Sequence, residues 1–411
     1  NQGTIVNNTL RACRLPNSIL GDLTLRKVAG VAYQIQGQVN VGQDQLGDGA
    51  VNDASRRGRL FIEPGVTLFG RNGPDVLLVQ RGSQIYALGT RQEPIVFTSL
   101  ADLEGNGKKF DWAGIVLMGR APINACIGSA TPGTAACQGA VEGTSNAFGG
   151  GNDPTDSSGE LRYVQIRYSG FEIAPGNELQ SLTLVGVGDG TKISHFQSHA
   201  SGDDGIEIFG GTMNARYLVV TGADDDSIDT DTGWNGAIQF GIVIQRPGGG
   251  DRMNEWSSIN RQPYSQPRVA NITYVGRAGG GAAIHLNQGT QASFYNSVVT
   301  RPAGGSGSAE RCLEIRDANT TGTFHSVHFS CPVAFEDARA QTAFEAGTNN
   351  VVGTSSLTGV FINGANENAV TAVDAKAVYS FFDTTTYIGA VRNASDTWWQ
   401  GWTCGLTSGS T

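Results

Sequence analysis

The sequence predicts an all-β chain wound as a single right-handed parallel β-helix, a solenoid with loop insertions and a C-terminal cap containing short helices. Three observations carry this expectation. Short alternating strands cut by Gly, Asn and Asp recur through the first three quarters, as in Leu60-Phe61-Ile62, Val76-Leu77-Leu78-Val79 and Gln84-Ile85-Tyr86-Ala87-Leu88. Apolar spacing of helical period is nearly absent there. The third is self-similarity: Ile193 to Gly211, containing Asp203-Asp204-Gly205-Ile206-Glu207-Ile208, falls on Ala215 to Gly233, containing Asp225-Asp226-Ser227-Ile228-Asp229-Thr230, at a shift of 22 residues.

A 22-residue unit of short strands cannot close a core alone, but stacked units can, each strand pairing with its equivalent in the next coil. Coils would then rise by ~4.8 Å, with inward aliphatic ladders such as Ile206 over Ile228 and Ile208 over Thr230. A looser echo joins Ala283-Ile284-His285-Leu286 to Cys312-Leu313-Glu314-Ile315 at an offset of about 29. About ten to fourteen coils are expected. A β-sandwich ranks second, because it predicts hairpins but no coil-length repeat.

Interruptions in the pattern organise the chain. Residues 1–335 read as the β-helix, with surface insertions at about 121–159, 246–268 and 301–310; residues 336–411 read as C-terminal coils and an aromatic cap. Ala-rich segments at 338–346 and 369–378 allow short helices, and Trp398, Trp399 and Trp402 are expected to close the last coil against edge pairing.

Composition narrows the class. With 39% hydrophobic residues the chain can bury a core, and no stretch of 18 apolar residues is present. The net charge is −9, only five of 28 basic residues are Lys, and no basic stripe exists, so nucleic acid is excluded as an expected partner. Six Cys with no C-x-x-C argue for disulfides in an oxidising compartment rather than zinc. Cys126–Cys137 would close one loop and Cys312–Cys331 would flank one coil; Cys13 and Cys404 are left without an assigned partner. The start at Asn1 reads as the mature end of an exported protein.

Residues 158–170 (Ser-Gly-Glu-Leu-Arg-Tyr-Val-Gln-Ile-Arg-Tyr-Ser-Gly), followed by Gly202-Asp203-Asp204-Gly205-Ile206-Glu207-Ile208-Phe209-Gly210-Gly211-Thr212 and a tail with Phe381-Phe382 and Gly401-Trp402-Thr403, resemble a family of secreted or outer-membrane-associated β-helix proteins of Gram-negative bacteria. The resemblance covers most of residues 55–405 and implies the fold and an exported, cell-surface location; that family supplies no reaction to carry over. At fold level the chain is also similar to the pectate-lyase-like superfamily. Gly202-Asp203-Asp204-Gly205-Ile206 is similar to the paired-Asp motif of polygalacturonases, but the Gly-His-Gly and Arg-Ile-Lys motifs of those enzymes are missing.

The acidic coils concentrate the chemistry. If Ile206, Ile208, Ile228 and Thr230 face inward, Glu207, Asp229 and Asp231 face outward, with Glu207 directly beside Asp229 in the next coil. Two carboxylates ~4.8 Å apart repel by roughly 3–4 kcal/mol at an effective dielectric of 20. Three readings stand side by side. In the first, Asp and Asn simply serve the turns. In the second, Asp203, Asp204, Glu207, Asp225, Asp226, Asp229 and Asp231 bind calcium. In the third, Glu207, Asp229 and Asp231 act as acid and base on a polysaccharide.

The remaining candidates are weaker. His195 and His199 lie on strand and turn rather than on one helix face, His325 and His328 face opposite sides of a strand, and His285 faces away from Ile284 and Leu286. Trp234, Trp256 and Tyr264 are candidate stacking surfaces for sugar rings. The leading expectation is an extracellular or cell-surface structural or binding protein, calcium-stabilised, that meets a polysaccharide or other surface polymer or copies of itself. The alternative is a polysaccharide lyase or glycoside hydrolase working from the acidic face.

Overall fold

In the computed structural model, residues 5–6, 9–144, 146–174, 177–303 and 310–406 are described. They wind into a right-handed parallel β-helix. One side of the solenoid is an 11-stranded sheet running from Ser18–Ile19 to Val333–Phe335, one strand per coil; the other sides belong to a 16-stranded sheet. The predicted register holds, with Ile206 beside Ile228, Glu207 beside Asp229 and Ile208 beside Thr230. The 11 strands of the smaller sheet also match the expected number of coils.

The larger sheet turns a corner inside its long strands. In Gly159–Arg167, Lys192–His199, Asn214–Thr221, Ala237–Ile244, Arg268–Val275, Gln291–Thr300 and Thr321–Ser330, one non-glycine residue per strand is left-handed: Tyr163, His195, Tyr217, Phe240, Asn271, Asn296 and Ser326, with φ between 47° and 62°. Such a conformation costs a non-glycine residue roughly 1–2 kcal/mol. Stacking offsets it at four consecutive corners, where Tyr163, His195, Tyr217 and Phe240 lie face to face at centroid distances of 4.2, 4.5 and 4.9 Å. Inside, aliphatic rows give way to aromatic ones, Trp256 on Phe294 at 5.0 Å and Phe294 on Phe324 at 5.1 Å.

Two parts of the expected organisation need correction. Residues 246–268 are not one surface loop: the strand Asn254–Trp256 lies within them and pairs with Ile228–Asp231 and Ile284–Leu286. The tail Trp residues do not close the last coil. That end is covered by the helix Ala338–Glu345, N-capped by Asp337, whose side chain accepts from Ala340 N at 2.9 Å, while Phe344 stacks on Phe329 at 4.3 Å. Most of the expected insertion at 301–310 lies outside the described residues.

The chain after 356 instead runs back along the outside of the larger sheet as a strap. Asn296 donates to Val373 O at 2.9 Å, Asn271 to Tyr387 O at 2.9 Å, and Gln197 both donates to Cys404 O at 2.7 Å and accepts from Cys404 N at 2.9 Å. Beneath it, outward-facing Val219, Ile242 and Val298 are fully buried against Phe361, Val391, Trp402 and Ile388. The near-continuous apolar run Ile242-Val243-Ile244 marks a strand covered on both faces.

Residues 121–159 form a segment of their own. It carries the Cys126–Cys137 disulfide and the hairpin Gly139–Ala140 with Phe148–Gly149. It packs Val141 and Ala147 on Val116, Met118 and Val185, covering the outer face of the 11-stranded sheet in its early coils. Cys312–Cys331 forms the second disulfide, leaving an exposed Cys13 and a half-buried Cys404 free.

Trp402 is 1% exposed between Tyr163 and His195, so Trp402→Ala should cost about 3–5 kcal/mol if the strap is integral to the fold. Denaturant unfolding measures this; a loss below about 1 kcal/mol would show the strap to be loosely held.

Candidate functional site

Where the 121–159 insertion stops covering the smaller sheet, its outer face becomes acidic. Strand alternation sends Ile206, Ile208, Ile228 and Thr230 inward and leaves one outward column along the register: Thr183, Glu207, Asp229, Glu255, His285 and Glu314. The turn before each strand adds Asp203 and Asp204, then Asp225 and Asp226, then Asp251 and Arg252.

All seven predicted acids therefore gather on two consecutive coils. Carboxylate oxygens lie within 4.8 Å of one another in three sets: Asp203, Asp204 and Asp225; Asp204, Glu207 and Asp229; Asp225, Asp226 and Asp251. Asp231 joins none of the three. The turn-serving reading also holds for two members: Asp204 Oδ1 accepts from Asp226 N at 2.9 Å, and Asp226 Oδ1 from Arg252 N at 2.6 Å. Each turn thus holds the next through a carboxylate that keeps a second oxygen for other work.

Burial dominates the electrostatics. It pushes Asp204, Glu207, Asp226 and Asp229 well above the usual carboxylate range, and neighbouring acids add to the effect: Asp203 beside Asp204, Asp204 beside Glu207, Asp225 beside Asp226, and Glu207 beside Asp229. Asp203 is raised to about 6 by burial, held back by the Asp204 amide and by Gln180, which donates at 3.1 Å. Glu255 goes the other way. Burial would raise it, but the His285 ring beside it and the charge of Arg252, 2.6 Å away, outweigh that and bring it to about 2.

Glu255, Arg252, His285 and Glu314 extend the site beyond the predicted set. Glu255 lies inside the stretch expected to be a loop; the alternation Asn254-Glu255-Trp256, with Trp as the inward member, is the signal that could have found it. His285 does face away from Ile284 and Leu286, yet is only 7% exposed, with Nδ1 3.4 Å from Glu255 Oε1. Two of the proposed sugar-stacking residues are corrected: Trp234 and Trp256 are fully buried and donate to Met213 O and Ile228 O, so neither offers a face to a ligand. Tyr264 is half-exposed against Gly289. His195 and His199 are held down to about 4 by burial and by neighbouring Arg charges, and stay neutral at physiological pH.

A carboxyl raised on folding contributes stability that is complete below its unfolded value and lost as pH climbs through its folded value; for Asp203 that window runs from 3.8 to about 6. Glu255, lowered to about 2, keeps its contribution across that window down to its unfolded value of 4.5 and loses it only at lower pH. In chelator, the melting temperature should therefore rise between pH 7 and pH 5. Glu207→Gln should also raise it at pH 7, because it removes a carboxyl that burial and Asp204 both disfavour in its charged form. A fall in both experiments would contradict the crowding of buried carboxyls.

No curated protein and no solved structure matches the chain. The model of one family does match, over residues 47–403, a span that includes both the acidic column and most of the strap. The parallel strands paired from coil to coil accord with that match, and the chain belongs to the pectate-lyase-like β-helix domain family.

Proposed function

We propose that this is an extracellular or cell-surface β-helix protein whose acidic face binds calcium and, through it, a polysaccharide or other surface polymer. The supporting observation is the three overlapping carboxylate sets on adjacent coils, each with oxygens within 4.8 Å. Calcium takes six to eight oxygen ligands at ~2.3–2.6 Å, so two ligand oxygens of one ion lie within roughly 5 Å of each other. The donors here are all hard oxygens, which favours calcium over softer metals. Two disulfides suit an oxidising compartment, which supports an exported location.

A second reading, polysaccharide cleavage, is favoured by one observation. Glu207 and Asp229 are pushed up while Glu255 is pulled down to about 2, which is how an acid and a base are separated at a sugar bond. Glu207 and Glu255 stand two strands apart, ~10 Å along the column, near the spacing of inverting glycosidases.

Millimolar calcium should raise the melting temperature by several degrees, with chelator reversing it. Asp204→Asn with Asp229→Asn should remove the shift, because an amide oxygen at position 204 can still accept from Asp226 N while the charge is gone. Absence of a wild-type shift would sink the calcium reading. Release of reducing or unsaturated ends from a polysaccharide panel, lost in Asp229→Asn with the fold intact, would establish cleavage instead.

A further inference from the structure

The two ends of the solenoid are finished differently. The far end carries the helix Ala338–Glu345, whose Ala340 and Phe344 belong to the core. At the near end the first coil has no such cover among the described residues. Its strand Leu10–Arg14 is met by Ile5–Val6, which lies antiparallel against it. The strands Ser18–Ile19 and Gly21–Leu25, in contrast, each pair on one side only, with Gln38–Val41 and Gly58–Ile62. Leu20 and Val28, on either side of the second strand, are 48% and 51% exposed. A bare strand edge between apolar side chains is a template for another strand.

The bare edge can be specified residue by residue. Gly21 N donates to Arg57 O at 2.8 Å and Leu25 O accepts from Glu63 N at 3.1 Å, so Gly21, Leu23 and Leu25 aim their backbone groups at Gly58–Ile62. Alternation turns the amides and carbonyls of Asp22 and Thr24 to the open side. In an antiparallel pair, residues that exchange both hydrogen bonds stand directly opposite each other. With Thr24 set against Thr24 of a second copy, Asp22 falls opposite Arg26 and Leu23 opposite Leu25, and the same holds in reverse. Asp22-Leu23-Thr24-Leu25-Arg26 is therefore self-complementary about its centre, with acid against base at both ends and Leu against Leu on the inward face. Arg26 makes no ion pair among the described residues. Asp22 is bound to Arg59 at 2.7 Å, yet its side chain stays 51% exposed, open to a second cation.

We infer that this edge is where two copies of the chain join, head to head about a two-fold axis beside Thr24. A two-fold interface needs one surface that fits itself, and the charge order of this strand supplies it. Head-to-tail stacking would instead generate an open filament, but the helix Ala338–Glu345 lies where the first coil of the next copy would have to sit. The assembly therefore closes at two. It lies in the first coil, away from the carboxylate column, and does not draw on calcium.

Sedimentation equilibrium in chelator, with the chain at tens of micromolar, tests it. The wild type should sediment at twice the mass of one chain. Arg26→Asp, which sets acid against acid at both ends of the pairing, should raise the dimer dissociation constant tenfold or more. Thr24→Pro removes one amide from the open side and leaves the ladder to Gly58–Ile62 in place, so it should weaken the dimer as much. Both variants should keep the melting temperature that the wild type shows when diluted to single chains. A single-chain mass for the wild type, a dimer that both variants leave as tight as before, or species that keep growing with concentration would each overturn the inference.

Discussion

Backbone hydrogen bonds between successive coils fix the axial spacing of everything else in this molecule. Because side chains alternate along a strand, a slip of one residue would send the Ile206–Ile228 row to solvent and the Glu207–Asp229 row into the core. The apolar rows forbid it. The same register that fills the interior with Ile, Leu and stacked aromatic rings sets outward carboxyls at strand spacing, whether or not they repel. Crowded acids are the direct consequence of a well-packed inside.

Two additions decide which outward rows remain open. The disulfide-closed insertion packs Val141 and Ala147 over the early coils of the smaller sheet, and the strap covers the second side of the larger one. Between them, the stretch from Glu207 to Glu314 is left uncovered. Its polarity follows from that position: rows under a cover are Val116, Val219, Ile242 and Val298, and the row without one is Glu, Asp and His.

Period and parity are enough to read the coil, its register and the meeting of six of the seven acids from the sequence, because both are local and repeat. What escapes them has causes of other kinds. Glu255 and Trp256 sit in a coil whose length departs from 22 residues, so the fixed offset passes over them. Residue type alone suggests Trp234 and Trp256 as ligand surfaces, whereas strand parity already assigns Trp256 to the interior. The strap depends on contacts between residues hundreds of positions apart, and no local pattern announces those; only the doubly apolar strands hint that something lies on top.

The longest of those contacts has a bearing on assembly. Arg91 donates to Gln400 O across 309 residues, so a segment near the end of the chain clasps a coil completed near its beginning. A growing solenoid lengthens by adding each winding to the last, and every step of that growth is complete before the clasp exists. Until then a greasy stripe along several windings stands bare, and the interval between winding and clasping is when the nascent protein is most open to sticking to its neighbours.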